Sequence, residues 1–432
     1  MPTDSKQPLN KGVVLLGWVS FLSDVASEMI YPLLPDFLTR TLRAGPATLG
    51  VIEGVAEATA SLVKWVSGWW SDRVRRRKPM VVSGYAIAAV ARPLVGLATS
   101  WGQVLAIRFA DRVGKGIRTS PRDALLADLV PAGERGRAYG LQRAMDNAGA
   151  LVGPLLAAAL LRFVFADERD VFLLAAIPGA LAVALLAWRI RESPREKPSP
   201  DVPSSPRPSP PSPVHVTGHG DTRGERGAPS SDRDAKGDTA ASRLPRRLRL
   251  AIAIFVLFTL ASATDAFLLL RARDLGIALW EIPLLWAMFN GLKAAAGVPG
   301  GILADRLGRV RTILAGWIVY AVSYAGFALA SRPSHVWALF AFYSLFYALT
   351  EGAERALVAD LAPPTLRGRA FGAFHASVGF AALPASVLFG VLWKAFSPAA
   401  AFYLGAALAV VASIALSVFA ARGGAAPSPK KA

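Results

Sequence analysis

The stretch ALLADLVPAGERGRAYG at residues 124–140 recurs as ALVADLAPPTLRGRAFG at residues 356–372, and eleven of the seventeen positions are identical without a gap. A second pair, GWWSDRVRRRK from Gly68 and GILADRLGRVR from Gly301, repeats at nearly the same spacing, 233 residues against 232. Two matches at one period indicate that the chain contains two copies of a larger unit.

The sequence around these repeats consists of apolar runs of about 20 residues, the length that crosses a bilayer as a helix. Of the 432 residues 53% are hydrophobic, 18% are charged and none is cysteine, which excludes a disordered or disulfide-stabilised chain. We predict an all-α polytopic membrane protein with twelve transmembrane helices in two six-helix bundles. The predicted helices cover 12–38, 47–70, 79–99, 102–127, 137–163 and 170–190, and then 249–271, 280–303, 311–331, 335–359, 369–393 and 398–421.

Three regions follow from this pattern. Residues 1–191 form the first bundle and residues 246–432 form the second, and because six is an even number both copies run in the same direction. Residues 192–245 are rich in proline and serine and have few large apolar residues, so they are predicted to be a disordered linker.

Basic residues concentrate in loops on one side of the predicted membrane. The densest run, RVRRRK at 73–78, lies between two spans, and RLGRVR at 306–311 occupies the same place in the second copy. By the positive-inside rule these loops, the linker and both termini are cytoplasmic, which suggests a bacterial inner membrane. The net charge of +18 therefore reflects topology, and we expect no nucleic-acid partner because no basic patch is interleaved with aromatic residues.

The loop after the second span of each copy combines a glycine with an aspartate and arginines. Glycine permits close helix approach, and an aspartate at the membrane edge can pair with arginine or with a helix N-terminus. At these residues the chain resembles the major facilitator superfamily, in which the charged loop acts as a cytoplasmic latch between the halves. The gate residues that the resemblance implies are Gly68, Asp72 and Arg73 in the first copy, and Gly301, Asp305, Arg306 and Arg309 in the second.

Acidic residues lie inside the first two predicted spans. Each costs about 2.5–3.5 kcal/mol at a bilayer centre, so these side chains must face one another or water. Burial favours the protonated form of a carboxyl group unless a cation lies beside it. An alternative for any one of them is a structural ion pair with Lys64 or Arg108. The candidates for proton coupling are Asp24, Glu28, Glu53 and Glu57.

The fourth predicted span carries charged residues at a three-to-four step, which places them along one face of a helix. Together with other charges inside spans they predict a polar cavity, mainly in the first half. Aromatic residues of the second half, Trp286, Phe289, Tyr343 and Tyr347, either line a substrate site or pack in the core. The predicted cavity charge network is Lys64, Arg108, Asp111, Arg112, Lys115, Arg118, Asp146 and Asp265.

These observations predict a secondary active transporter that works by alternating access in the lipid bilayer. The resemblance to drug:proton antiporter-type exporters favours proton-coupled efflux of a small organic compound, by a monomer. Uptake or exchange of an anionic metabolite is an alternative, because the fourth-span cations could bind a carboxylate or phosphate. A receptor or scaffold that does not transport is a third. We expect no enzyme activity, cofactor, metal or nucleotide, since no nucleophile set, phosphate-binding loop or metal-ligand spacing is visible.

Overall fold

The computed structural model describes residues 10–71, 76–131, 134–190, 244–363 and 366–422, and the long elements in these ranges are all helices. In the first half they are α1 (Lys11–Thr41), α2 (Pro46–Ser71), α3 (Lys78–Leu97), α4 (Trp101–Asp128), α5 (Arg135–Phe163) and α6 (Glu168–Arg189). In the second half they are α7 (Arg246–Asp274), α8 (Glu281–Leu307), α9 (Arg309–Leu329), α10 (Pro333–Leu361), α11 (Arg367–Ala395) and α12 (Pro398–Ala421).

Nine helices in the described part of the chain are long and apolar enough to cross a membrane. The three long helices outside this set are α2, α4 and α8, which carry charged side chains within their length. The all-helical prediction is confirmed, whereas twelve crossings remain a prediction.

The predicted helix ranges differ from the observed ones by only a few residues at each end. Polar residues fix some of these ends: the Asn10 side chain accepts from the Gly12 amide at 2.8 Å, and Ser397 accepts from Ala400 at 3.1 Å. The predicted linker lies outside the described residues except for 244 and 245, which lead into α7.

The prediction of an unbroken seventh helix is wrong. Helix α7 ends at Ala261 and begins again at Ala266, and residues 262–265 between them are not helical. Ser262, Thr264 and Asp265 offer side-chain hydrogen bonds that compete with the helical ones. The Thr264 hydroxyl accepts from the Ala266 amide at 3.4 Å, at the start of the second segment.

Helix α1 also changes its geometry, in its last third. The chain tightens into a 3-10 turn at Tyr31–Leu33, where Pro32 supplies no backbone donor. A wider turn at Phe37–Thr41 ends the helix. We call the end of the molecule where α1 begins the Lys11 side, and the end where it finishes the Thr41 side.

The two halves meet along two helix seams. Helix α2 packs against α11, and α5 packs against α8. The repeat relates α2 to α8 and α5 to α11, so each seam is the counterpart of the other. Glycine allows close contact in the first seam, because a Cβ at Gly50 would overlap the carbonyl oxygen of Ser386.

Candidate substrate cavity and its closures

A cavity of about 420 Å³ lies between the two halves. Helices α1, α2 and α4 contribute its wall on one side, and α7, α8, α10 and α11 contribute the other. The interruption of α7 at 262–265 is part of the lining, which brings the non-helical backbone of that segment next to the cavity. The ionisable lining residues are Glu28, Tyr31, Glu53, Glu57, Arg112, Lys115, Asp265, Lys293 and Tyr347.

From Glu53 of this lining, a buried ion-pair network extends across α2, α3 and α4. Arg108 donates to the Glu53 carboxylate at 2.6 and 3.1 Å, and Arg92 donates to Asp111 at 2.9 Å. All four side chains are buried, and Arg108 also lies 3.8 Å from Asp111. For Glu53, the structure therefore forms the ion pair with Arg108 that the sequence left open as an alternative.

A second polar cluster extends from this network toward the Lys11 side. Arg118 donates to the Ser23 hydroxyl at 2.8 Å and stacks 4.1 Å above the Tyr85 ring. Arg122 lies 3.8 Å from Asp146. Asp24 is partly buried among the charges of Asp146, Arg118 and Lys115 and does not line the cavity.

Among the four predicted coupling acids, Glu28 and Glu57 both face the cavity without an ion pair to any described residue. Glu28 accepts a hydrogen bond at 2.8 Å from the indole nitrogen of Trp286, which belongs to α8 in the other half. Glu57 is exposed to the cavity, as is Lys115 on α4. Arg112 is buried beside them, 4.0 Å from Asp111.

The second half contributes an acid held by two phenols. Tyr343 and Tyr347 each donate to a different oxygen of Asp265, both at 2.8 Å. The Lys293 ammonium lies 4.7 Å from the centre of the Tyr347 ring. Of the four predicted aromatic residues, Trp286 and Tyr347 line the cavity, whereas Phe289 and Tyr343 are buried behind it.

Ion pairs between the halves close the cavity on the Thr41 side. Asp36 of α1 accepts from Arg273 of α7 at 2.7 Å, and Arg40 of α1 lies 3.6 Å from Asp274 of α7. Within α1, Arg40 also lies 3.0 Å from Asp36. The Asp36 side chain is only 6% exposed, so the pair with Arg273 is shielded from water. Nearer the cavity, Tyr31 contacts Thr264, with 3.4 Å between the hydroxyl oxygens.

Toward the Lys11 side the cavity continues into two further spaces, of about 470 and 260 Å³, which share Lys293 and Tyr347 with it. Among the described residues, the ion pair from Arg143 to Glu351 crosses between the halves here at 2.6 Å, and both side chains are partly accessible. The Lys11 side is therefore the more open route to the cavity.

The predicted gate residues lie at the Lys11 side, and those that are described make their contacts within one half. Arg309 pairs with Asp305 and lies 3.4 Å from Asp360. In the first half Arg77 lies 2.7 Å from Asp128, the residue that corresponds to Asp360 in the repeat. Arg306 is exposed, and Asp72 and Arg73 fall outside the described residues.

Close approach does not explain the two motif glycines in this conformation. A Cβ at Gly68 would make only ordinary contact with Ser120, at 3.4 Å, and a Cβ at Gly301 would meet nothing within 4 Å. The expectation that these two glycines permit close helix approach is therefore wrong for this conformation. The sequence also placed Lys64 in the charge network, but its side chain is exposed and lies outside the central cavity lining.

Several site residues were missed from the sequence. Arg92 is the one arginine within an otherwise apolar span, and a charge in such a span indicates a buried, paired position. Ser23 and Tyr85 gave no such signal, because serine and tyrosine are common in apolar helices. In the described residues, no group of three or more His, Asp and Glu side chains is placed to hold a metal ion.

Comparison with known proteins agrees with this geometry. The model of the Major Facilitator Superfamily matches residues 16–267 and 250–432. An uncharacterised MFS-type transporter of Methanocaldococcus jannaschii is 33% identical over 419 residues, which cover 96% of each chain. The multidrug resistance protein MdtH of Photorhabdus laumondii is 31% identical over 167 residues, 38% of this chain and 41% of MdtH.

A solved structure shows the same fold. The nucleoside transporter NupG superposes with a TM-score of 0.73 and 12% identity, covering 95% of this chain and 100% of NupG. A family match over most of the chain, together with charged residues enclosed between two helical halves, identifies a multi-pass membrane transporter and not an enzyme. The chain belongs to the Major Facilitator Superfamily.

Proposed function

We propose that this transporter exports a small organic compound in exchange for protons. The observation that carries the proposal is the position of Glu28, an acid that faces the cavity without an ion-pair partner among the described residues and accepts a hydrogen bond from Trp286 across the two halves. A carboxylate accepts two or more hydrogen bonds, whereas the protonated acid is a weaker acceptor. Protonation of Glu28 would therefore weaken a contact between the halves.

The other candidate acids fit this role less well. Glu53 is neutralised by Arg108, and Asp24 lies behind the cavity wall. Glu57 reaches the cavity but, among the described residues, forms no hydrogen bond or ion pair with the second half. Glu28 alone of the four combines access from the cavity with a described hydrogen bond to the opposite half.

In the proposed cycle the two halves, six transmembrane helices each, rock about the central cavity. The structure would represent the state in which the Thr41 side is closed by Asp36 and Arg273. The basic loops favour a cytoplasmic Lys11 side, which makes this state inward-facing. The gate motif around Asp72 and Asp305 would hold the Lys11 side shut in the opposite state. The relative MdtH, a multidrug resistance protein, supports export over uptake.

The test of the proposal is proton flux in vesicles that contain the purified protein and a pH-sensitive dye. Under an imposed pH gradient, candidate organic solutes are added one at a time to wild type and to the Glu28→Gln variant. We expect a solute-dependent proton flux in wild type and a loss of at least tenfold in the variant. Solute binding should persist, because glutamine still accepts the Trp286 hydrogen bond.

Asp170→Asn is the matched control, since Asp170 is exposed near the start of α6 and forms no described ion pair. It should leave proton flux unchanged. Solute transport that moves no protons in wild type would contradict proton coupling, and full proton flux in Glu28→Gln would assign the coupling to another acid.

An anionic substrate is a second candidate because three cations face the cavity: Arg112, Lys115 and Lys293. If the solute is an anion, Lys115→Ala should weaken its binding without lowering the thermal stability of the protein. Lys115 is exposed to the cavity and forms no described ion pair, so its removal leaves no buried charge.

A further inference from the structure

A basic groove lies on the outer surface of the second half, away from the central cavity. It has a volume of about 560 Å³ and is formed by the beginning of α7 and the end of α12 on the Lys11 side. Three arginines, Arg246, Arg247 and Arg422, surround its mouth, and all three are exposed. None of them forms an ion pair with an acid among the described residues.

The rest of the groove is apolar. Its walls are Leu250, Ile254, Ala415, Val418 and Phe419, and the Arg247 guanidinium lies 5.6 Å above the Phe419 ring. Val418 also borders a second groove of about 400 Å³ between α9 and α12, so the apolar surface continues along α12. A ligand that fits this surface has an anionic head and a long apolar tail.

The backbone at the beginning of α7 also favours an anionic ligand. Helix α7 begins at Arg246 with no side-chain cap on its first turn and no acidic residue there. The amide groups of an uncapped first turn carry a partial positive charge that attracts anions. The guanidinium groups and the helix end therefore both attract an anion. Guanidinium binds phosphate through two parallel hydrogen bonds.

We propose that this groove binds an anionic phospholipid, with the phosphate at the three arginines and an acyl chain along the apolar walls. The apolar walls favour a lipid over free phosphate. The chain's own remaining segments are poor occupants, because the sequence at 191–243 has nearly balanced charge and the sequence at 423–432 is basic. The site lies on the Lys11 side, where the positive-inside rule places the basic residues.

The test counts lipids that remain bound to the purified full-length protein in detergent, by native mass spectrometry. Phosphatidylglycerol and phosphatidylcholine are added separately at equal concentrations. We expect wild type to retain phosphatidylglycerol about tenfold more than phosphatidylcholine. The combined variant Arg246→Gln, Arg247→Gln and Arg422→Gln should lose most of this preference, since each arginine near an anionic headgroup contributes roughly fivefold to binding.

The matched control removes the same charge from the same side at residues outside the groove, through Arg249→Gln, Arg367→Gln and Arg369→Gln. It should retain the lipid as wild type does. Thermal unfolding without added lipid shows whether each variant is folded. Equal retention of both lipids, equal loss in both triple variants, or displacement of phosphatidylglycerol by millimolar inorganic phosphate would overturn the proposal.

Discussion

At the scale of single residues, the charged side chains of the first half differ in how well they are paired. Glu53 and Arg108 form a short, buried ion pair, whereas Glu28, Glu57 and Lys115 face the cavity with no ion-pair partner among the described residues. The sequence showed that these charges are enclosed, because lipid would not tolerate them. It could not separate paired from unpaired acids, since pairing depends on side-chain positions on neighbouring helices.

The pair of Glu53 and Arg108 should be structural. Glu53→Gln leaves the Arg108 charge buried, with Asp111 at 3.8 Å as its remaining acidic neighbour. Removing one partner of a buried ion pair typically costs about 3–5 kcal/mol. We expect a loss of that order in the free energy of unfolding, measured in detergent with chemical denaturant.

Two further variants check this interpretation. The double variant Glu53→Gln with Arg108→Gln should recover part of the stability, because no unpaired charge then remains at this position. Arg355→Gln removes an exposed partner of Glu351 and should cost less than about 1 kcal/mol. A Glu53→Gln protein as stable as wild type would show that the pair does not stabilise the fold.

At the scale of helices, the sequence predicted positions well and interruptions poorly. Apolar runs between polar residues located the helix ends, because the length of a span and the cost of burying polar groups constrain them strongly. The break in α7 was missed because Ala261, Ala263 and Ala266 keep the segment apolar. The residues that indicate the break are the serine, threonine and aspartate of this segment. Such residues also occur at helix caps, so they do not by themselves predict an interruption.

Neighbouring glycines in α8 offer a test of helix packing. A Cβ at Gly300 would overlap the carbonyl oxygen of Ala348 on α10, whereas a Cβ at Gly301 would meet no atom within 4 Å. Overpacking costs about 1–3 kcal/mol, and alanine gains up to about 1 kcal/mol over glycine in a helix. Gly300→Ala should therefore lower the free energy of unfolding, and Gly301→Ala should not.

Gly301→Ala also bears on the gate motif. If this variant unfolds like wild type but transports more slowly, Gly301 acts in a conformation in which α8 approaches another helix more closely. Normal stability and normal transport together would count against a role for this glycine in the gate. A loss of stability equal to that of Gly300→Ala would contradict the packing argument.

At the scale of the whole molecule, the repeat explains where the cavity closes. Tyr31 and Thr264 touch although they are 233 residues apart, and Arg40 donates to the Arg273 carbonyl at the same separation. This separation equals the spacing of the sequence repeat. Corresponding points of two related copies meet only near the axis that relates them, so the closure on the Thr41 side lies close to that axis.

Asp36 holds this closure together, since it accepts a hydrogen bond from Arg273 of the other half and forms an ion pair with Arg40. Asp36→Asn removes a charge-assisted contact worth about 1.5–3 kcal/mol, which would raise the population open at the Thr41 side roughly tenfold or more. The chain contains no cysteine, so Ala382→Cys in the cavity lining introduces the only thiol. Its labelling by a membrane-impermeant maleimide, added from one side of the membrane at a time, reports which side is open.

In the Ala382→Cys background we expect labelling mainly from the Lys11 side. Asp36→Asn should increase labelling from the Thr41 side, whereas Asp170→Asn, an exposed acid on that same side, should not. The comparison separates loss of the ion pair from loss of charge alone. If both variants label alike from the Thr41 side, the closure does not depend on Asp36, and the packing of Tyr31 and Trp286, whose ring centres lie 5.1 Å apart, would have to hold that side shut.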